Sequence, residues 1–307
     1  MYAKINELAD RLTDKLVATR RDFHKYAESG WFEMRTSSLI ARRLTDMGYE
    51  VLTGPDVCLG ESRMGLPSDE ELEKNYIRAK EQGADPEFIE KVKGGFTGVM
   101  AILRCGEGPA VALRFDIDAL GVVEDASSEH RPFREGFSSV NPGMMHACGH
   151  DGHASIGLGV AEVLMAVKDD LRGTVKIIFQ PAEEGVRGAK CIVDKGHLDG
   201  VDYVLACHIS GRESEEDNVS DVTAGSGGSL ATSKMDVFYY GKSAHAGSHP
   251  QDGRNALAAA VTAVQNLLAI PRNSKSDTRV NVGTLHAGSG RNVIPEYARM
   301  EMEVRGK

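Results

Sequence analysis

His146-Ala147-Cys148-Gly149-His150-Asp151-Gly152-His153 gathers three of the chain's ten histidines and one of its five cysteines into eight residues. Cys148 and His150 lie two apart around Gly149. That spacing lets a bent loop present a thiolate and an imidazole to one point, and both are ligands for zinc-like cations. Immediately downstream, Ile156, Val160, Val163, Leu164 and Val167 repeat at helical spacing and mark an apolar helix face. The ligands are therefore expected where a loop enters a helix.

Outward from this junction, helical and strand patterns alternate. Ile5, Leu8, Leu12 and Leu16 form a first helical stripe, and a second helix is expected over 35–47. Buried strands are expected over 98–104, 110–115, 174–179 and 203–207, which gives an α/β sheet domain. A charged insertion over 60–94, with helices at 69–82 and 87–92, reads as peripheral. From about Leu230 the pattern changes to strands at 233–240, 278–285 and 298–304 around an Ala/Leu helix at 255–270, a smaller α+β domain. The expected division is 1–229 and 230–307, in keeping with roughly 150 residues per domain.

With a net charge of −9 and no basic run interleaved with aromatics, the chain has no global attraction for nucleic acid or anionic membrane. No apolar stretch has the length of a membrane span, and residues 1–20 resemble a mixed-charge amphipathic helix rather than a secretory signal. Cys58, Cys105, Cys148, Cys191 and Cys207 are odd in number and lack a disulfide spacing. A cytoplasmic protein with reduced thiols is expected.

In open parallel sheets, ligands gather beyond the carboxyl ends of the strands. Three expected strands end in acidic residues or histidine: Asp116 and Asp118, then Glu183 and Glu184, then His208. Together with Cys148 and His150 they offer metal ligands and a spare carboxylate, the requirements of metal-assisted hydrolysis. Each has a plainer reading. Cys148-Gly149-His150 is also a structural turn, Glu183-Glu184 a solvated loop, His208 a core histidine, and Asp116 and Asp118 loop caps. Cys148 as a nucleophile with His150 as its base is a third possibility, but it also needs an oxyanion hole and an oriented base.

Four segments, Leu113-Arg114-Phe115-Asp116-Ile117-Asp118-Ala119-Leu120, Met145 to His153, Phe179-Gln180-Pro181-Ala182-Glu183-Glu184-Gly185 and Gly241-Lys242-Ser243-Ala244-His245-Ala246, resemble the motifs of the two-metal aminoacylase and carboxypeptidase family of amidohydrolases, in the family's order. Arg20-Arg21-Asp22-Phe23-His24, Tyr26 to Trp31, Ser62 to Pro67 and Gly288 to Pro295 are similar to the subgroup acting on aminobenzoyl-glutamate. The resemblance implies a central mixed sheet flanked by helices, a lid or dimerisation domain, and two divalent metal ions, Mn2+ or Zn2+. It implies Cys148 as the bridging ligand, with His150, Glu184 and His208 as further ligands, Glu183 as general base and Asp118 orienting a histidine ligand. Asp116 stands where many relatives place a ligating histidine, and its contact with metal is open. In the smaller domain, His245 resembles the histidine that reaches the oxyanion and Asn292 the residue that holds the substrate carboxylate, with Arg291 beside it either a second substrate contact or a solvated charge.

The implied substrate is an N-acyl amino acid, p-aminobenzoyl-glutamate first and other N-acyl or indole-acyl amino acids second. The implied assembly is a homodimer or a heteromer with a related subunit through the lid domain. The family has a further ligating histidine in a C-terminal segment, and Lys307 precedes any such residue. The expectation is a truncated form with a partial second metal site, an incomplete smaller domain, and little activity alone, or a noncatalytic metal-binding or partner subunit. His24, His130, His197, His249 and His286 are expected to have no role.

Overall fold

A computed structural model describes residues 1–209, 222 and 230–307. The chain divides into two compact units, Met1–Glu216 and Asp217–Lys307. The boundary expected at 229 lies outside the described residues.

The first unit runs α1 (Tyr2–Arg11), α2 (Thr13–Lys25), α3 (Met34–Asp46), β1 (Glu50–Thr53), α4 (Asp69–Glu81), β2 (Val99–Arg104), β3 (Ala110–Asp116), α5 (Arg131–Arg134), α6 (His150–Ala166), β4 (Thr174–Gln180), α7 (Ala189–Asp194) and β5 (Tyr203–Ala206). Its mixed sheet has the order β1-β2-β4-β3-β5. β3, β4 and β5 are parallel, with Phe115 opposite Phe179 and Asp116 opposite Gln180, whereas β1 and β2 join antiparallel. Because the three parallel strands end at one edge, the residues that follow them are brought together. The core on one side of the sheet packs Phe23, Ile40, Leu44, Phe115, Leu158, Ile177 and Phe179. That burial supplies the rigid base for the loops at the strand ends.

Four expectations are corrected. The first stripe is split at Leu12, whose N–H bonds back to the Ala9 carbonyl, and α1 buries no residue. The insertion is not peripheral: Leu72, Tyr76, Ala79, Ile89 and Val92 are buried with Trp31, Met34, Val57, Met100 and Ile178 in a second core. Its apolar positions recur along α4 at 72, 76 and 79, but Glu73, Lys74 and Arg78 between them hide the stripe in the sequence. Residues 87–92 form turns, with the Asp85 side chain accepting from the Glu87 and Phe88 N–H groups and taking the place of a continued helix. β5, expected to be buried, is the exposed edge of the sheet.

The second unit contains β6 (Ala231–Tyr240), α8 (Ala256–Leu268), β7 (Thr278–Ala287) and β8 (Tyr297–Gly306), an antiparallel sheet in the order β6-β8-β7. Ala256 and Ala260 of α8 are buried in one small core with Ala298 of β8. Small residues there allow close approach of helix and sheet. Among the described residues no helix is long and apolar enough to cross a membrane.

Candidate metal centre

Gly149 sits in the left-handed region at φ 84° and is the residue before α6. Only glycine enters that region without steric cost, and the bend it makes turns Cys148 and His150 toward the same side. Donor atoms of Cys148, His150 and His208 lie within 4.8 Å of one another, and so do those of His150, Glu183 and Glu184. His150 is common to both groups. The sequence-derived ligands are thus collected at the carboxyl edge of β3, β4 and β5.

Hydrogen bonds assign the ring nitrogens. His150 Nδ1 lies 3.2 Å from Asp118 Oδ1 and donates to it, which leaves Nε2 as the ring nitrogen a cation would take by displacing its proton. That Nε2 is buried and has no hydrogen-bond partner, and neither does the buried Oε1 of Glu184. Two buried polar atoms without partners in one acidic cluster are costly unless a cation takes them. The second oxygen of Asp118 accepts from the Glu184 N–H at 2.9 Å. One buried carboxylate thereby fixes two candidate ligands. His208 Nδ1 lies 2.8 Å from the Ile209 carbonyl and therefore carries a proton, leaving Nε2 3.5 Å from Cys148 Sγ.

A third grouping, Asp116, His150 and His153, has the same proximity and a different explanation. His153 Nε2 accepts from the Ile209 N–H at 2.7 Å, so its Nδ1 carries a proton and donates to Asp116 Oδ1. Arg114 pairs with the other oxygen of Asp116. Both ring nitrogens of His153 are used, and it anchors Ile209 rather than offering a lone pair. Asp116 Oδ1 still lies 3.8 Å from His150 Nε2, close enough to add negative potential.

Burial, the largest influence on Cys148, raises its thiol pKa, and the charges of Glu184, Glu183 and Asp116 raise it further, to about 12. Such a thiol is a poor nucleophile without a cation, which argues against the cysteine-hydrolase alternative. For His150, burial pulls downward, but the hydrogen bond to Asp118 and the charges of Asp116, Asp118 and Glu184 outweigh it and lift the value to about 9. Glu183 is raised first by burial and then by Asp116, while His150, with Nε2 4.0 Å from its carboxylate, opposes the shift. Soft sulfur, imidazole and carboxylate in one half-buried cluster fit divalent metal.

Several supporting residues carried no local signal. The buried Glu33 carboxylate accepts from the Ala182 N–H at 2.8 Å and from the Thr97 hydroxyl at 2.7 Å, tying down the loop before Glu183. His24, expected to be idle, is buried between Asp151 at 2.9 Å and Glu124 at 2.9 Å, and it braces the first turn of α6. In the second unit, His245 Nδ1 accepts from the Gly247 and Ser248 N–H groups, both at 3.1 Å, which leaves Nε2–H as a donor. Asn292 is beside it, its carbonyl accepting from the Ala246 N–H at 3.0 Å, with Arg291 exposed next in the chain.

Residues 112–288 match peptidase family M20/M25/M40. The chain is 48% identical over 98% of its length to a p-aminobenzoyl-glutamate hydrolase subunit of Escherichia coli K12, covering 69% of that protein. It is 49% identical over 99% of its length to indole-3-acetyl-aspartic acid hydrolase of Enterobacter agglomerans, covering 69%. Its fold is similar to that of an aminobenzoyl-glutamate utilization protein from Klebsiella pneumoniae, with TM-score 0.76, 43% identity and coverage of 98% and 69% of the two chains. A dinuclear metal-binding M20 peptidase from Bacillus subtilis superposes with TM-score 0.55 at 27% identity, covering 98% and 65%.

Proposed function

The chain belongs to peptidase family M20/M25/M40 and is an amide-bond hydrolase, and from that premise we propose that it cleaves an N-acyl amino acid, with p-aminobenzoyl-glutamate as the preferred substrate and p-aminobenzoate and glutamate as products. The observation that carries this reading is the unequal placement of two adjacent carboxylates. Glu184 is held through its N–H by Asp118 and has an orphaned buried oxygen, as a ligand requires. Glu183 is half-exposed beside the same cluster, with its pKa raised toward the working range of a general base.

Cys148, His150, Glu184 and His208 would hold the divalent ions, Zn2+ or Mn2+. Bound there, the metal supplies Lewis-acid polarisation of the amide carbonyl and acidifies the attacking water. Glu183 takes the proton from that water and returns it to the departing amine. Asp118 keeps His150 in the tautomer that presents Nε2. His245, through Nε2–H, donates to the developing oxyanion. Asn292 and Arg291 hold the carboxylates of the amino-acid product, Arg291 by a bidentate fork.

A second reading, an indole-acyl amino acid as substrate, is favoured by the Enterobacter relative. The names of both relatives contain a dicarboxylic amino acid, in keeping with a cationic contact such as Arg291. The Escherichia coli relative is named as one subunit of its hydrolase, which supports assembly with a partner chain. Five unpaired thiols fit a cytoplasmic setting.

Metal analysis alongside hydrolysis of p-aminobenzoyl-glutamate and an indole-acyl amino acid tests the proposal. Glu183→Gln should retain metal and lose about 2 to 4 orders of magnitude in turnover, whereas Glu184→Gln should release metal. Equal metal loss in both variants overturns the division of roles. Arg291→Ala should erase the preference for the glutamate conjugate, and an unchanged preference removes Arg291 from the site.

A further inference from the structure

The segment immediately after the two carboxylates is unusually constrained. Arg187 donates from Nε to the Glu184 carbonyl at 3.0 Å and from Nη1 to the Gly65 carbonyl at 3.3 Å. One guanidinium therefore fastens the inserted segment to the loop of Glu183 and Glu184. Met64, the neighbour of Gly65, is held in turn, its carbonyl accepting from Trp31 Nε1 at 2.8 Å.

Among the described residues, three non-glycine residues have positive φ: Trp31 at 72°, Ala182 at 45° and Val186 at 57°. All three belong to this assembly. A β-branched residue in that region is costly and persists only where its surroundings over-determine it, which is characteristic of functional loops. The tethers supply that constraint, since the Val186 N–H bonds to the Glu183 carbonyl at 2.7 Å and Glu33 holds Ala182.

Rigid though it is, the assembly leaves apolar side chains in solvent: Met64 is 42% exposed, Leu66 40% and Val186 62%. Isolated exposed apolar residues are ordinary. These three belong to the two segments that the Arg187 clamp fastens together, one of which carries the candidate acid–base residue. Arg187 directs two of its N–H groups to backbone carbonyls and so holds the two segments in a fixed relation. Methionine adds an adaptable side chain with favourable sulfur–aromatic contacts.

We propose that Met64, Leu66 and Val186, held in place by Arg187, form the subsite for the acyl half of the substrate, and that this subsite selects an aromatic acyl group over a small one. The proposal rests on the amidohydrolase reading for its substrate, and it assigns a specificity role to the inserted segment.

The test is equilibrium binding of p-aminobenzoyl-glutamate and N-acetyl-glutamate to the full chain and to Met64→Ser/Leu66→Ser, with turnover measured in parallel. The parent should favour the aryl ligand, and the double variant should weaken it about tenfold while changing the acetyl ligand less than about twofold. Met64→Leu should keep the parent's ratio, separating loss of apolar surface from loss of fold. Equal weakening of both ligands, no weakening of either, or no binding of the aryl ligand by the parent overturns the subsite. Should the parent bind the aryl ligand without hydrolysing it, the proposed function fails while the binding ratio still decides the subsite.

Discussion

Asp118 uses its two oxygens for two different ends, one toward His150 Nδ1 and one toward the Glu184 N–H. Asparagine offers one acceptor in place of two, so Asp118→Asn leaves one buried donor unsatisfied. The expected loss is about 1 to 3 kcal/mol of stability and about 10- to 100-fold in metal affinity, read by denaturant titration and by metal titration. An unchanged metal affinity would show that the orientation of His150 does not depend on this carboxylate. Asp118, Cys148, His150, Glu183, Glu184 and His208 are legible in the sequence because each lies at a strand end or in the dense motif. His153 is visible there too, but what separates a holder from a ligand is the Ile209 N–H on its Nε2, 56 residues away. Glu33 and Arg187 act through backbone groups of distant segments, for which a sequence has no local mark.

At the scale of elements, β2, β3 and β4 are legible because runs of apolar residues bounded by turn residues are characteristic of buried strands. The helix after the metal motif is legible in position and less so in orientation. Ile156 of the expected face is exposed, and the buried face runs through His150, Ala154, Leu158 and Ala161. The physical reason is Gly157. A Cβ there would lie 2.7 Å from Phe179 and 2.9 Å from Phe115, so α6 approaches the sheet only because that position is bare. Alanine would contribute up to about 1 kcal/mol of helix propensity, but overpacking against two buried rings costs about 1 to 3 kcal/mol. Gly157→Ala is therefore expected to lower the thermal midpoint. A raised midpoint would show that the rings yield freely.

At the scale of the whole molecule, every candidate ligand lies in Met1–Glu216, whereas His245, Arg291 and Asn292 belong to the second unit. A cation that binds only the folded first unit stabilises it by mass action, about 2.7 kcal/mol at one hundred times the dissociation constant. Hydrogen exchange should accordingly slow on metal addition in the sheet and α6, and far less across 230–307. Equal slowing in both counts against a centre built from residues 148–208. The high thiol and imidazole values at Cys148 and His150, about 12 and about 9, have another consequence. At neutral pH both groups carry protons that a cation must displace, so loading is an exchange of charge for acid. Protons should leave as these two ligands engage, and metal affinity should climb as pH rises from 6 to 8. Calorimetric titrations in buffers of different ionisation enthalpy measure this release directly, and an affinity flat across pH 6 to 8 would contradict it. A centre with this linkage is an acidity gauge: acidification releases its cation, and with it the stability the cation lends to the first unit.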